Sequence, residues 1–415
     1  MPYKNTTRSF GGRRATGGGG GYRGGGSSFH SGGGGRSRSG GGGRKGPKKD
    51  YIDPSRFVKV AQIVEREAYV PKHTFADFNL NSILNQNIIA KGFTTPSAIQ
   101  DQSIAHALEG RDVIGIADTG TGKTAAFGIP MMQLMMANGG KALIIAPTRE
   151  LAQQIDAELR TIAKGSGMAG AVLIGGTSMG PQLRDLRNKP QIVIGTPGRI
   201  KDHFKRGTVR LNTFNLVVLD EVDRMLDMGF VDDVRTIMQQ TAENRQSLFF
   251  SATMNPSVRR LVDEFVNEPT VVNIASTKAT SSVKQDVIRY QTAGNKIDQL
   301  HDLLVSDQVS KTIIFDETQR GVERLSNELL ARGFAVDSMH GGKTQGQRQR
   351  ALAKFKNSET TVLVATDVAA RGLDVTDISH VINYSLPQNY DDYIHRIGRA
   401  GRAGRLGYAY TFLSR

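Results

Sequence analysis

The chain of 415 residues contains no cysteine. Disulfides and thiolate metal sites are therefore excluded, and a reducing compartment is compatible. The eight histidines show no metal-ligand spacing. No stretch approaches the roughly 18–20 consecutive apolar residues that a membrane span needs. The glycine-rich N-terminus lacks the apolar region of a signal peptide. A cytoplasmic location without membrane contact is the expectation. Acidic residues are outnumbered: 39 Asp and Glu stand against 54 Lys and Arg, giving a net charge of +15 and a pI near 9.9. That balance points to a polyanionic partner.

The surplus is uneven. Residues 1–50 hold 11 Lys and Arg with one Asp, a net of +10, leaving only +5 for the other 365 residues. The same segment has 19 glycines and very few large apolar side chains. It cannot bury enough surface to offset its chain entropy and is expected to be disordered. It carries Arg13-Arg14, Tyr22-Arg23-Gly24-Gly25 and Arg44-Lys45. Arginine and tyrosine can stack on bases while the charges meet phosphates. A solubilising tail would have a similar composition.

Hydrophobic residues make up 38%, enough for two or three domains to bury cores. Residues 51–72 read as a connecting extension, with Phe57, Val60, Ile63 and Val64 at helical spacing. From residue 73 short Val/Ile/Leu runs alternate with longer helical patterns. Asp112–Ile116, Lys141–Ala146, Gln191–Gly195, Leu216–Asp220 and Gln246–Ser251 read as buried strands. The pattern restarts with strands at Lys311–Phe315, Ala335–Met339, Thr361–Thr366 and His380–Tyr384, separated by helical stretches. This predicts an α/β fold of two parallel-sheet lobes, at 73–275 and 285–415, joined by a polar linker at 276–284.

Residues 117–124 read Ala-Asp-Thr-Gly-Thr-Gly-Lys-Thr, between a predicted strand and a helix. Backbone N–H groups of such a turn wrap phosphates, and the helix dipole favours them. Thr119, Gly120, Thr121 and Gly122 would form the cradle. Lys123 would reach the β- and γ-phosphates of ATP, and Thr124 would bind Mg²⁺. Ala117 stands where a glycine is usual. The strand ending at Leu219 continues into Asp220-Glu221-Val222-Asp223. Strand carboxyl ends face the ligand crevice of a parallel sheet. Asp220 would hold the metal through water, and Glu221 would orient and deprotonate the attacking water. Alone, these four residues could equally be an acidic helix start.

Together the two motifs resemble the DEAD-box RNA helicases, and further matches follow in order. Gly92-Phe93-Thr94-Thr95-Pro96 with Ile99-Gln100 resembles the Q motif. The resemblance implies that Gln100 reads the adenine edge while Phe75 packs on the ring. Pro147-Thr148-Arg149-Glu150-Leu151 resembles motif Ia, Gly175-Gly176 the GG motif, and Thr196-Pro197-Gly198-Arg199 motif Ib. In that family these loops grip the RNA backbone. Ser251-Ala252-Thr253 resembles motif III, which would couple hydrolysis to RNA through Asp223.

In the second lobe, Ile313-Ile314-Phe315 resembles motif IV, and Gln345 and Arg348 fit a QxxR element. Ala365-Thr366-Asp367 through Arg371-Gly372-Leu373-Asp374 resembles motif V. The resemblance implies RNA contacts for Arg348 and Thr366 and nucleotide contacts for Gly372 and Asp374. His395-Arg396-Ile397-Gly398-Arg399-Ala400-Gly401-Arg402 resembles motif VI. Arg399 and Arg402 would be arginine fingers, with His395 in the coupling path.

Two departures stand out. The box reads D-E-V-D, with Val222 for the usual alanine, and the chain stops just after a strand-like Tyr408–Leu413, where relatives commonly continue into a helix. The resemblance covers about residues 75–415 and implies RecA-like lobes. The expected activity is ATP-dependent unwinding or remodelling of RNA and ribonucleoprotein assemblies, by a monomeric core with little sequence preference. A DNA helicase and a non-catalytic RNA clamp are the rival readings.

Overall fold

Parallel strands cannot be joined by tight turns, so each neighbouring pair needs a crossover, and here helices supply most of them. The computed structural model describes residues 50–61, 69–274, 282–306, 309–370, 375, 377–401 and 405–415. The predicted tail, residues 1–49, lies outside the described residues. The first lobe contains β1 (Val113–Ile116), β2 (Ala142–Ile145), β3 (Gly170–Leu173), β4 (Ile192–Gly195), β5 (Leu216–Asp220), β6 (Gln246–Ser251) and β7 (Thr270–Asn273). They form one parallel sheet in the order β3-β4-β2-β5-β6-β1-β7. Its helices are α1 (Ser82–Ala90), α2 (Ala98–Leu108), α3 (Lys123–Asn138), α4 (Arg149–Ile162), α5 (Met179–Arg187), α6 (Pro197–Lys205), α7 (Val222–Asp227), α8 (Val231–Met238) and α9 (Pro256–Asp263).

The second lobe repeats the plan with six strands. These are β8 (Val283–Tyr290), β9 (Thr312–Phe315), β10 (Val336–Met339), β11 (Val362–Ala365), β12 (His380–Asn383) and β13 (Gly407–Ser414). All pair in parallel, in the order β10-β11-β9-β12-β13-β8. Its helices are α10 (Ala293–Val305), α11 (Gln319–Ala331), α12 (Gln345–Lys356), α13 (Asp367–Ala370) and α14 (Tyr390–Ile397). The described residues pack as one compact unit.

Helices on both faces explain why the central strands are apolar throughout: β1, β2, β4 and β5 are buried at every position. Successive side chains enter opposite cores. Val113, Ile144 and Val218 pack on one face of the first sheet, and Ile114, Leu143 and Val217 on the other. In the second sheet Ile313, Leu363 and Val381 oppose Ile314, Val364 and Ile382. All strands of a sheet run the same way, so their carboxyl ends, and the loops that follow, collect at one edge.

Two details depart from the sequence expectation. The helix expected across Phe57, Val60, Ile63 and Val64 is not formed by its described part. Pro54–Phe57 is a single 3-10 turn capped by Asp53, whose side chain accepts from Ser55 N–H at 2.9 Å. The chain then extends, because Lys59 pairs with Gln285 on the open edge of β8. Ile63 and Val64 fall outside the described residues. The second departure is that β8 begins at Val283, inside the segment read as a linker. No helix among the described residues is long and apolar enough to cross a membrane.

Candidate nucleotide and nucleic-acid site

The turn from β1 into α3 is built by glycines in the left-handed region: Gly120 has φ +83° and Gly122 φ +93°. A Cβ at Gly122 would also overlap the Gln100 amide. Lys123 opens α3, is 7% exposed, and donates to the Ala117 carbonyl at 2.9 Å. Ala117, the position where a glycine is usual, thus supplies the carbonyl that holds the lysine inside its loop. Thr119, Thr121 and Thr124 are half-buried beside it, with Thr121 Oγ1 donating to the Asp118 carbonyl at 2.8 Å.

The two residues expected at the adenine, Gln100 and Phe75, both have protein partners. Gln100 Oε1 accepts from Ser97 N–H at 3.0 Å, and its Nε2 donates to the Gly122 carbonyl at 3.1 Å. Its amide therefore caps its own helix and ties it to the phosphate loop. Phe75 is 6% exposed, packed in the lobe core and stacked on Phe93 with centroids 6.1 Å apart. Phe93, half-buried, is the more accessible ring of that pair.

The acids follow β5. Asp220 and Glu221 are each 3% exposed. Burial pushes the Asp220 carboxyl up to about 7, against the pull of Lys123. Glu221 sits at φ +54°, a conformation non-glycine residues rarely adopt and one that clusters at functional sites. Its Oε2 is buried with no hydrogen-bond partner. Asp223 is fully engaged: its Oδ2 accepts from Thr253 N–H at 2.9 Å and from Thr253 Oγ1 at 3.0 Å. Ser251 Oγ accepts from Asp223 N–H at 3.2 Å and donates to the Thr253 carbonyl at 2.8 Å. The residues predicted for coupling in this lobe thus form one network.

This donor set fits a hard divalent cation. It offers carboxylate and hydroxyl oxygens with no soft ligand, and buries a carboxylate oxygen that lacks a protein partner. Asp220 and Thr124 are the residues suited to hold Mg²⁺.

The strand order separates two groups of loops. β5, β6 and β1 lead into the acids, Ser251–Thr253 and the phosphate loop; β3, β4 and β2 lead into the three predicted RNA loops. Pro147 and Thr148 are buried, and Thr148 caps α4 by accepting from Leu151 N–H at 3.2 Å. Arg149 lies over Gly176 so closely that a Cβ there would overlap its guanidinium, and Gly176 has φ +71°. Arg199 Nη2 donates to the Thr177 carbonyl at 3.3 Å, joining the GG and Ib loops. Thr196 stands at the N-cap position of α6, with Pro197 at the first helical position and Gly198 exposed. Beneath them Gln182 donates to the Ile174 carbonyl at 3.1 Å and to Thr177 Oγ1 at 2.8 Å, while its Oε1 lies 3.3 Å from His203 Nε2.

Among the described residues, the second lobe meets the first around Glu150 and around Arg224. Arg348, read as an RNA ligand, is buried and donates to Glu150 Oε2 at 2.9 Å. Gln345 Nε2 donates to Glu150 Oε1 at 3.1 Å and to Gln153 Oε1 at 3.0 Å. In this structure the Arg348 guanidinium thus makes a lobe-to-lobe ion pair through Nη2, while its buried Nε has no partner. At the other place Arg224, next to Asp223, shares a small cleft with Asp392, His395, Arg396 and Arg399. His395 also lies near Asp227 and Asp392, with candidate ligand atoms within 4.8 Å. Thr366 is half-buried after β11. Gly372, Asp374 and Arg402 lie outside the described residues.

Sequence reasoning passed over three residues that organise this region. Arg396 pairs with both Asp367 oxygens at 2.6 Å, donates to Asn383 and the Ser385 carbonyl, and lies over Phe315. Its place between His395 and Arg399 was the available signal. Glu150 stood inside the motif Ia match and Gln345 inside QxxR, but neither pattern says that the two meet.

Known proteins resemble this chain in sequence and in fold. The DEAD/DEAH box helicase family matches residues 97–261, and the Helicase conserved C-terminal domain matches 295–404. In structure, the chain resembles Saccharomyces cerevisiae Dbp5 bound to RNA and ADP BeF3, with a TM-score of 0.73 and 29% identity over 82% of this chain and 90% of that one. It resembles Mss116p bound to ssRNA and AMP-PNP with the same TM-score and 30% identity, over 82% and 74% of the two chains. In sequence it is 44% identical to the DEAD-box ATP-dependent RNA helicase CshA of Bacillus subtilis, over 82% of this chain and 69% of that protein. It is 42% identical to the ATP-dependent RNA helicase CshA of Limosilactobacillus reuteri, again over 82% and 69%. Identity at this level, across both lobes and most of both proteins, is family membership: the chain belongs to the DEAD-box ATP-dependent RNA helicases.

Proposed function

We propose that this helicase couples RNA-stimulated ATP hydrolysis to closure of its two lobes, prying short RNA duplexes apart locally and remodelling RNA or ribonucleoprotein assemblies. The observation that carries this reading is the split of charged groups across the lobe boundary. The acids and phosphate loop belong to the first lobe; Arg399 belongs to the second and shares a cleft with Arg224.

In the first lobe, Lys123 exchanges the Ala117 carbonyl for phosphate oxygens, and the N–H groups of residues 119–124 close around them. Asp220, through water, and Thr124 would hold Mg²⁺, which when bound would shield the charge of the phosphates. Glu221, with a buried oxygen free of protein partners, takes a proton from the attacking water. The water oxygen bonds to the γ-phosphorus as the bond to the bridging oxygen breaks, giving ADP and phosphate. Arg399 meets the charge that builds during that exchange; such arginines are worth roughly 10³–10⁵ in rate elsewhere.

RNA lies on the loops after β2, β3 and β4, held by its backbone through Arg149, Arg199 and helix-start N–H groups, so base sequence matters little. Asp223 and Thr253 carry the change between this surface and the nucleotide. The basic tail adds salt-dependent affinity. The enzyme works in the cytoplasm as a monomeric core.

The test is ATP turnover with and without RNA or DNA of one length. Turnover should rise with RNA alone. Equal turnover without nucleic acid would remove the coupling, and equal stimulation by DNA would remove the preference for RNA.

A further inference from the structure

Residues 50–59 lie outside both matched family regions, yet they are built into the second lobe. Phe57 is 1% exposed and meets Tyr393 edge-on, with ring centroids 4.8 Å apart. Tyr393 is fully buried on α14, six residues before Arg399. Its hydroxyl donates to Gln285 Oε1 at 3.0 Å. The Gln285 backbone exchanges two hydrogen bonds with Lys59, at 2.9 and 2.8 Å. Arg56 stacks over the Tyr390 ring, 3.4 Å from its centroid. Asp50 N–H donates to the Gln388 carbonyl at 3.0 Å, just before the helix.

The helix gripped in this way has eight residues, too short to hold a position by itself. Arg396 ties it to Asp367 on one side. Tyr390 and Tyr393, one turn apart, are its contacts to residues 50–59. The segment thus pairs with the edge of β8 at Gln285 and seats the helix that leads into Arg399. Further along, residues 69–73 sit on the first lobe: Asp101 accepts from Tyr69 Oη, from Lys72 and His73 N–H at 2.9 Å each, and pairs with His73 Nδ1 at 2.8 Å. Asp101 follows Gln100 directly, so the extension is seated on helices at both halves of the nucleotide site.

We propose that Phe57 is a positioning residue for hydrolysis: residues 50–59 fix α14 so that Arg399 arrives in register at nucleotide bound by the first lobe. This rests on the reading of Arg399 as the finger. An error of about 1 Å in placing a catalytic group can cost up to about 10²-fold in rate, so one aromatic ring behind the helix has leverage.

The experiment uses the full chain. Phe57→Ala should lower RNA-stimulated kcat about tenfold. The KM for ATP should move less than about twofold, because the phosphate loop lies on the other lobe. Phe57→Leu, which refills most of the volume, should restore most of the rate. Arg56→Ala, on the surface, should lower kcat by roughly two- to threefold with an unchanged melting temperature. Arg399→Ala separates the two readings. Normal kcat in Arg399→Ala removes the finger and the proposal with it. Loss in Arg399→Ala, with normal kcat in Phe57→Ala and Arg56→Ala, keeps the finger and overturns the positioning role. A Phe57→Ala loss that only tracks the unfolded fraction, with Arg56→Ala normal, also overturns it.

Discussion

The two lobes share a parallel sheet and a helical cover but treat buried charge in opposite ways. The first buries Asp220 and Glu221 side by side, lifts the Asp220 carboxyl to about 7, and leaves a Glu221 oxygen without a partner. The second buries Arg396 and satisfies it on every side, through Asp367, Asn383, the Ser385 carbonyl and the Phe315 ring. An unsatisfied buried acid is costly unless a ligand completes it. A satisfied buried arginine is a rigid mount for the helix that leads to Arg399, which on the proposed reading would act without reorganisation at the moment of reaction. One lobe is therefore built as an incomplete site and the other as a fixed tool.

The largest expected effect comes from the incomplete side. Glu221→Gln keeps the size and burial of the side chain but removes its ability to take a proton. Hydrolysis should fall by roughly 10²–10⁴-fold while ATP and RNA still bind together. Single-turnover ATPase and co-binding of RNA with a non-hydrolysable analogue would measure both halves; normal turnover would remove Glu221 as the base. Next is the ion pair that joins the lobes. Glu150→Gln or Arg348→Ala breaks a charged hydrogen bond made only when the lobes meet. Losses of about 1.5–3 kcal/mol, or roughly ten- to a hundredfold in RNA-stimulated kcat/KM, are expected. The thermal stability of each lobe should hardly change. A drop in melting temperature without loss of RNA stimulation would make the pair structural and not a part of closure.

These contrasts were only partly visible in the sequence. Central strands such as Leu143–Ile145 and Val217–Leu219 were legible because burial on both faces demands unbroken apolar runs. Strands β3, β7 and β8 went unread because edge positions relax that demand: β7 is buried only at Val272, and β8 alternates with exposed polar residues. The phosphate loop and acids were legible because chemistry fixes their spacing within a single turn. The protein partners of Gln100 and Arg348, Gly122 and Glu150, were not legible because they are distant in sequence: Arg348 and Glu150 stand 198 residues apart. Pattern supplies a side chain's type and local setting, but the partner that spends its hydrogen bonds is set by tertiary packing.

Acid should also separate the lobes. Burial pushes the His380 imidazole of the second lobe down to about 4, where it stacks against Tyr408 and Tyr410 of the neighbouring strand. The unfolded chain takes up a proton near 6.5 and the folded lobe does not until about 4. Stability is therefore complete above pH 6.5 and is lost progressively as pH falls through that window. In the first lobe His203 shifts in the same direction, also through burial. Melting curves between pH 7 and pH 5 should show the second lobe weakening more, and His380→Phe should flatten its slope. An unchanged slope in that variant would place the acid sensitivity elsewhere.

The smallest effect tests whether the departure at Val222 belongs to the chemistry or to the core. Val222 is fully buried, packed with Met225, Phe249 and Val258 beneath the acids, and contributes no polar atom. Val222→Ala removes two carbons and leaves a small cavity, which should destabilise the first lobe by about 1–2 kcal/mol. ATP turnover should stay within about twofold, because Glu221 keeps its backbone and Asp223 keeps its partners on Ser251 and Thr253. A melting curve and one RNA-stimulated rate decide the matter. Lower stability with a normal rate assigns the valine to packing. An unchanged melting temperature with a rate loss of tenfold or more would mean that α7 shifts when the side chain shrinks, and that the strained Glu221 depends on Val222 for its aim.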